Sequence, residues 1–195
     1  MSQQAPAHEW DKTFPKSDHV THEKVTFTTN FGITLVADLY KPRNAEGALP
    51  AIAVSGPFGA VKEQASGLYA QTMAERGFLT IAFDPSFTGE SGGAPRYMSS
   101  PDINTEDFLS AVDYLVCRED VDGDRVGIIG ICGWGGIALN AAAADPRIKA
   151  TLASTMYDLC RISGNGYNDS ADDAATRIAS RKLVAAQRTA DRLSG

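Results

Sequence analysis

Histidine and cysteine are the scarcest of the chemistry-bearing residues in this chain, at three each among 195 residues. Cys117, Cys132 and Cys160 stand far apart, which is no disulfide framework and fits a reducing compartment. His8, His19 and His22 lie close in sequence, but they lack helical ligand spacing and a Cys partner. No metal site is expected there, and the three read as solvated surface histidines. No stretch is long and apolar enough to span a bilayer, and the opening MSQQAPAHEWDKTFPK lacks the basic and apolar regions of a signal peptide. A cytoplasmic protein without a membrane partner is the expectation. An excess of basic charge is missing too. The net charge of -6 argues against a nucleic-acid or anionic-membrane partner. Internal repeats and low-complexity segments are absent from the sequence.

What is present is a globular composition, 43% hydrophobic and 8% aromatic, at a length that suits one domain with a sizeable core. Strand-like alternation covers 25–29 and 33–40, joined at Asn30-Phe31-Gly32, which predicts a hairpin. Short buried strands follow at 50–55, 78–83, 125–130 and 148–154. Helices are expected between them at 62–76, 105–116 and 133–144. Strands alternating with helices of this length predict an α/β fold with a mostly parallel sheet, started by an antiparallel hairpin. After an irregular stretch over 156–168, residues 171–193 read as one helix with a thin apolar stripe. The expected organisation is an N-terminal arm over 1–18, a core over 19–158, and the start of a cap or lid helix over 159–195.

The chain turns on RVGIIGICGWGGIALNAAAA, residues 125–144. A β-branched strand runs into a Gly- and Ala-rich helix, with Cys132 at the junction and small residues at Gly130 and Gly133. Small neighbours are what a side chain held at a strained strand-to-helix turn requires, as in the nucleophile elbow G-x-S-x-G. Free N–H groups of the following helix would stabilise a thiolate and an oxyanion. Cys132 is therefore expected to be the catalytic nucleophile. Buried Cys as core filler is the plainer reading. The G-x-G-x-x-A run at 133–138 also satisfies a dinucleotide fingerprint, but it sits too late after the strand and has no clear acidic partner beyond Asp158.

Further segments match the elbow in order: Gly56-Pro57-Phe58-Gly59, Val61-Lys62-Glu63-Gln64, Asp84 with Gly89-Glu90-Ser91-Gly92-Gly93, and Asp145-Pro146-Arg147-Ile148-Lys149-Ala150. Together they make residues 25–158 resemble α/β-hydrolases, and more closely the dienelactone-hydrolase-like group with Cys at the elbow. The resemblance implies the α/β-hydrolase fold and an acyl hydrolase acting on a small ester, lactone or thioester, with no cofactor. It implies an oxyanion hole from the N–H of Gly133 and a second N–H after the third strand. Pro57 has none to offer, so Phe58 is that donor. Trp134 is expected in the acyl pocket or under a cap. Gly56 stands where such relatives carry a Glu, and Glu63 and Glu90 read as a solvated helix start and a loop residue.

No His follows Cys132. Since the fold places nucleophile, acid and base in that chain order, the expectation is a chain truncated before its acid and base. Its C-terminal strands would be missing and its triad incomplete, leaving it inactive alone. Two alternatives are a non-catalytic half-domain that binds a partner, and an aminoacyl-peptidase-like hydrolase on the same fold. A small-molecule acyl substrate is the expected partner, with self-association through an exposed sixth strand, or a missing C-terminal half, beside it.

Overall fold

The computed structural model describes residues 10–194. Six strands form one sheet: β1 (Val20–Thr28), β2 (Thr34–Pro42), β3 (Leu49–Ser55), β4 (Leu79–Phe83), β5 (Val121–Ile131) and β6 (Ile148–Ser154). Their order is β1-β2-β4-β3-β5-β6. The hairpin β1–β2 joins β4 antiparallel, and β4, β3, β5 and β6 run parallel. Helices α1 (Ala65–Ala74), α2 (Pro101–Val116) and α3 (Gly133–Ala144) make the crossovers. All five residues of β4 are buried, as a central parallel strand covered on both faces requires.

The crossover through α1 steps from β3 toward the hairpin edge. Those through α2 and α3 step the opposite way. Right-handed connections therefore place α1 on one face of the sheet and α2 and α3 on the other. The direction of travel reverses between β3 and β5. That switch point opens a crevice at the carboxyl ends of these two strands, where ligands of open α/β sheets bind.

Helix α1 starts at Ala65 rather than at residue 62, because Gln64, at φ −110° and ψ −132°, is not helical. Lys62 stands ahead of that break. Its backbone N–H donates to Asp84 Oδ1 at 2.8 Å and its ammonium reaches Asp84 Oδ2 at 3.0 Å. Both side chains are fully buried. Glu63 and Glu90 each meet the same ammonium at 2.5 Å; Glu63 is thereby largely covered rather than solvated, whereas Glu90 is the loop residue expected and stays half-exposed. Burial opposes the charge on Lys62, yet these carboxylates hold its ammonium above the usual lysine range.

The expected surface arm also differs. Residues 1–9, His8 included, lie outside the described residues. Beyond them the segment packs inward: Phe14 is buried, and Gln71 joins Ser17 N–H at 3.1 Å and the Pro15 carbonyl at 2.9 Å. His22 is not a solvated histidine. Its Nε2 lies 3.0 Å from the buried Asp38 carboxylate, which Lys12 meets at 2.9 Å, and its ring leans on Trp10 and Tyr40. Burial works against the Asp38 charge, but His22 and Lys12 hold its carboxyl below the usual range.

The expectation of a sheet cut short, with C-terminal strands missing, is corrected. The chain continues past β6 as helix: α4 (Leu159–Asn165), a 3-10 turn (Tyr167–Asp169) and α5 (Ala174–Ser194). The strand count had come from the resemblance rather than from residues 155–195, whose composition favours helix. The molecule divides into one unit up to Met156 and a second from Tyr157. In the second, Arg161 pairs with Asp169 at 2.6 Å, and Asp158 caps α4 by accepting from the Arg161 N–H.

At the opposite end of the sheet from the crevice, Asp120 ties three segments together. Its carboxylate accepts from Arg118 Nε at 2.9 Å and Lys41 Nζ at 2.9 Å, while its carbonyl accepts from Leu49 N–H at 3.0 Å. Arg118 first and Lys41 second lower the Asp120 carboxyl to about 2. A carboxyl depressed in the folded state stabilises the fold above its unfolded pKa and loses that contribution as the pH falls through the folded one. Asp120→Asn is expected to cost about 1–2 kcal/mol near neutral pH. Urea titrations should show the gap to the parent closing as the pH drops toward 2. A gap independent of pH would assign the cost to packing instead.

Candidate active site

Strand β5 ends at Ile131 and α3 begins at Gly133, so Cys132 alone makes the turn. Its backbone sits at φ 59° and ψ −127°, a region that L-residues rarely occupy. Two hydrogen bonds hold it there: Cys132 N–H to the Ser154 carbonyl at 2.9 Å, and Gly135 N–H to the Cys132 carbonyl at 3.0 Å. The small residues around it are a steric necessity. A Cβ on Gly130 would lie 2.2 Å from the Trp134 carbonyl oxygen and 2.7 Å from the Ala138 Cβ. On Gly56, which follows β3, it would lie 2.4 Å from the Ile131 carbonyl oxygen and 2.8 Å from the Trp134 Cβ. No side chain fits at Gly56, between the β3 loop and the elbow, so the Glu that the resemblance implies there has no room.

These two close approaches bring the β3 loop against the start of α3. Phe58 follows Pro57 in a turn closed by Ala60 N–H to the Pro57 carbonyl at 3.1 Å, with Gly59 at φ 78°. That is the pattern of a type II turn with Phe58 at its second position. Neither Phe58 N–H nor Gly133 N–H has a hydrogen-bond acceptor among the described residues. The first N–H groups of a helix have no intrahelical partner, so α3 presents Gly133 freely. Trp134 is buried, its ring 5.9 Å from that of Phe58. It backs the β3 loop rather than lining open space.

Beside Phe58 lies a recess of about 390 Å³ lined by Phe58, Gly59, Val61, Thr88, Gly89, Tyr97 and Met98. Thr88, Tyr97 and Met98 come from the loop after β4 and were not legible as site residues. The sequence shows there only a run of turn formers. Cys117 and Cys160 are exposed, whereas Cys132 is half-buried. The described histidines, His19 and His22, lie at and before β1, which β2, β4 and β3 separate from β5. Among the described residues no group of His, Cys, Asp and Glu could hold a metal ion, and no helix is long and apolar enough to cross a membrane.

A family model of the X-Pro dipeptidyl-peptidases matches residues 32–192, most of the chain. This chain belongs to the X-Pro dipeptidyl-peptidase (S15) family. An uncharacterised protein of Pseudomonas aeruginosa, PA2218, is 66% identical over 163 residues, 83% of this chain and 44% of that one. Its crystal structure superposes with a TM-score of 0.93 at 59% identity, covering 100% of this chain and 61% of that one. The uncharacterised YcjY of Escherichia coli K12 is 43% identical over 152 residues, 76% of this chain and 50% of YcjY. The chain thus spans about half the length of these curated relatives.

Membership in the S15 family, a family of serine peptidases, corrects two expectations. The chain is not a dienelactone-hydrolase-like protein defined by a Cys nucleophile: the α/β-hydrolase fold holds, but the matching family is not built on a thiol. The strained turn was legible in the sequence, and the thiol on it was over-read as the mark of a group. The expectation of a hydrolase defined by a missing half is likewise replaced by the family match, which takes in residues 32–192 and so includes the helices after β6.

Proposed function

We propose that this S15-family chain carries the reacting centre of an aminoacyl-peptidase-like hydrolase for small substrates, set in the crevice between β3 and β5. The observation that carries the reading is the pair of unengaged N–H groups, Phe58 and Gly133, on adjoining loops at the switch point of the sheet. A carbonyl bound there accepts from both as it becomes a tetrahedral oxyanion, and a preorganised donor stabilises that charge without reorganisation. Cys132 is the elbow side chain beside this carbonyl, and Trp134 supports the Phe58 loop from behind.

A deletion of one donor tests it. Proline fits the second position of a type II turn, so Phe58→Pro keeps the turn and removes the N–H. Phe58→Leu changes the ring and keeps the N–H. On Gly-Pro-p-nitroanilide, p-nitrophenyl acetate and an acetyl thioester, Phe58→Pro is expected to lower kcat by about 10²-fold and Phe58→Leu by far less. Loss of one oxyanion donor has that scale. Equal effects from both variants, or no hydrolysis of any substrate by the parent, would overturn the reading.

Self-association fits the same chain. Edge strand β6 has Leu152 half-exposed, and beside it an apolar groove of about 570 Å³ includes Ile52, Met73, Phe78 and Ile129. An unpaired edge next to an uncovered apolar face is a template for a second copy. Light scattering should show the mass rising with concentration; a constant monomer mass would exclude it.

A further inference from the structure

We propose that the recess beside Phe58 is a subsite for an uncharged apolar group of the substrate, with Tyr97 and Met98 as the walls that set specificity. The proposal rests on the reacting centre placed above, since Phe58 belongs to both. No charged side chain lines the recess. The carboxylates beside its lining residues are already engaged: Asp84, next to Gly89, holds Lys62 at 3.0 Å, Glu90 holds Lys62 and Lys24 at 2.5 and 2.6 Å, and Glu63 holds Lys62. A volume of about 390 Å³ is that of a small-ligand site. A neutral ring or branched chain can fill it, whereas a charged group would meet no counter-charge.

The wall at Tyr97 is built rather than incidental. The ring is 86% exposed, and its backbone sits at φ 61°, where a bulky residue is strained. An exposed aromatic on a strained backbone gains nothing for folding. Strain of this kind persists only when the surroundings over-determine it, and it collects at ligand sites. Here they do. Tyr97 N–H donates to the Phe87 carbonyl at 2.9 Å, and Phe87, itself at φ 73°, donates to the Gly92 carbonyl at 2.8 Å. The adjacent Arg96 gathers the carbonyls of Gly89, at 2.6 Å, and Ser91. At the root of the loop, the buried Asp107 accepts from Ser86 N–H and Oγ, at 2.8 and 2.6 Å, and from Asn104 Nδ2 at 2.9 Å. A backbone held in place before the ligand arrives leaves only the side-chain torsions of Tyr97 to be ordered on binding.

Two neutral probes and one charged probe test the assignment by NMR on the isotopically labelled chain. N-benzylacetamide is expected to shift the amides of Thr88, Tyr97 and Met98. N-isobutylacetamide should do the same more weakly, and 4-(acetamidomethyl)benzoate should not. Tyr97→Ala is expected to weaken N-benzylacetamide about tenfold, and Tyr97→Phe to leave it nearly unchanged, since the ring supplies the contact. Tyr97 is exposed, so its replacement leaves the core intact, and an unchanged thermal transition verifies this. Equal affinity for the benzoate, shifts confined to another region, or a Tyr97→Ala variant that binds like the parent would each overturn the subsite. The two readings fail separately. Probe binding at Tyr97 without turnover of any substrate would sink the reacting centre and keep the recess. Turnover that responds to Phe58→Pro but not to Tyr97→Ala would do the reverse.

Discussion

Lys62→Met is expected to destabilise the fold by about 3–5 kcal/mol, the range for removing one partner of a buried ion pair. The Asp84 carboxylate would be left fully buried, keeping the N–H donors of Lys62 and Glu90 but losing its counter-charge. Glu63 and Glu90 would lose their shared cation as well. Against a typical total stability of about 5–15 kcal/mol, that decides whether the chain folds at 37 °C. The site should feel the change too. Asp84 accepts from the Glu90 N–H and lies at the root of the loop that carries Tyr97, and its carboxylate fills the space beside Gly89. Urea unfolding measures the cost. The double variant Lys62→Met with Asp84→Leu should recover part of it, because no unpaired charge is left. A double variant no more stable than the single one would show that the ammonium matters through packing and not through charge.

Gly130→Ala has the second largest expected effect. The backbone at Gly130 is not left-handed, so alanine there is a purely steric probe. Its methyl would lie 2.2 Å from the Trp134 carbonyl oxygen, a backbone atom that moves only if α3 moves. Overpacking in a core typically costs about 1–3 kcal/mol and occasionally more. A helix forced off its strand belongs at the upper end. Displacing α3 also carries the Gly133 N–H away from Phe58, so hydrolysis is expected to fall further than stability alone explains. Gly127→Ala, on the same strand, meets the Ala150 carbonyl oxygen only at 3.1 Å and serves as the milder comparison. Equal losses from the two substitutions would mean that the elbow has more room than its geometry shows.

The elbow is where local sequence spoke most clearly. Gly130, Cys132 and Gly133 are legible because a turn of this kind makes a demand on consecutive residues, and α3 and β6 fall at their expected ends for the same reason. Lys62 shows the opposite case. A lysine followed by Glu and Gln reads as a solvated helix start, and nothing nearby shows that Asp84, on another strand, will bury it. His22 fails likewise, for its partner Asp38 stands on β2, across the hairpin. The cysteine at the elbow carried a different error. The residue type suggested a thiol family, while the chain as a whole belongs to the S15 serine peptidases.

By itself the sequence determined the alternation of buried strands and crossover helices, the antiparallel start, and the strained turn at residue 132. Each is a demand made on neighbours in the chain, through side-chain periodicity or steric crowding. Only the tertiary structure decided that Gly56 must be bare, that Glu63 and Glu90 serve Lys62, and that Thr88, Tyr97 and Met98 form a wall beside Phe58. It also made helix α4 of residues 159–165, in the stretch expected to be irregular. Those outcomes depend on which strand ends lie side by side in the sheet, and contacts between residues distant in sequence leave no periodic trace along the chain.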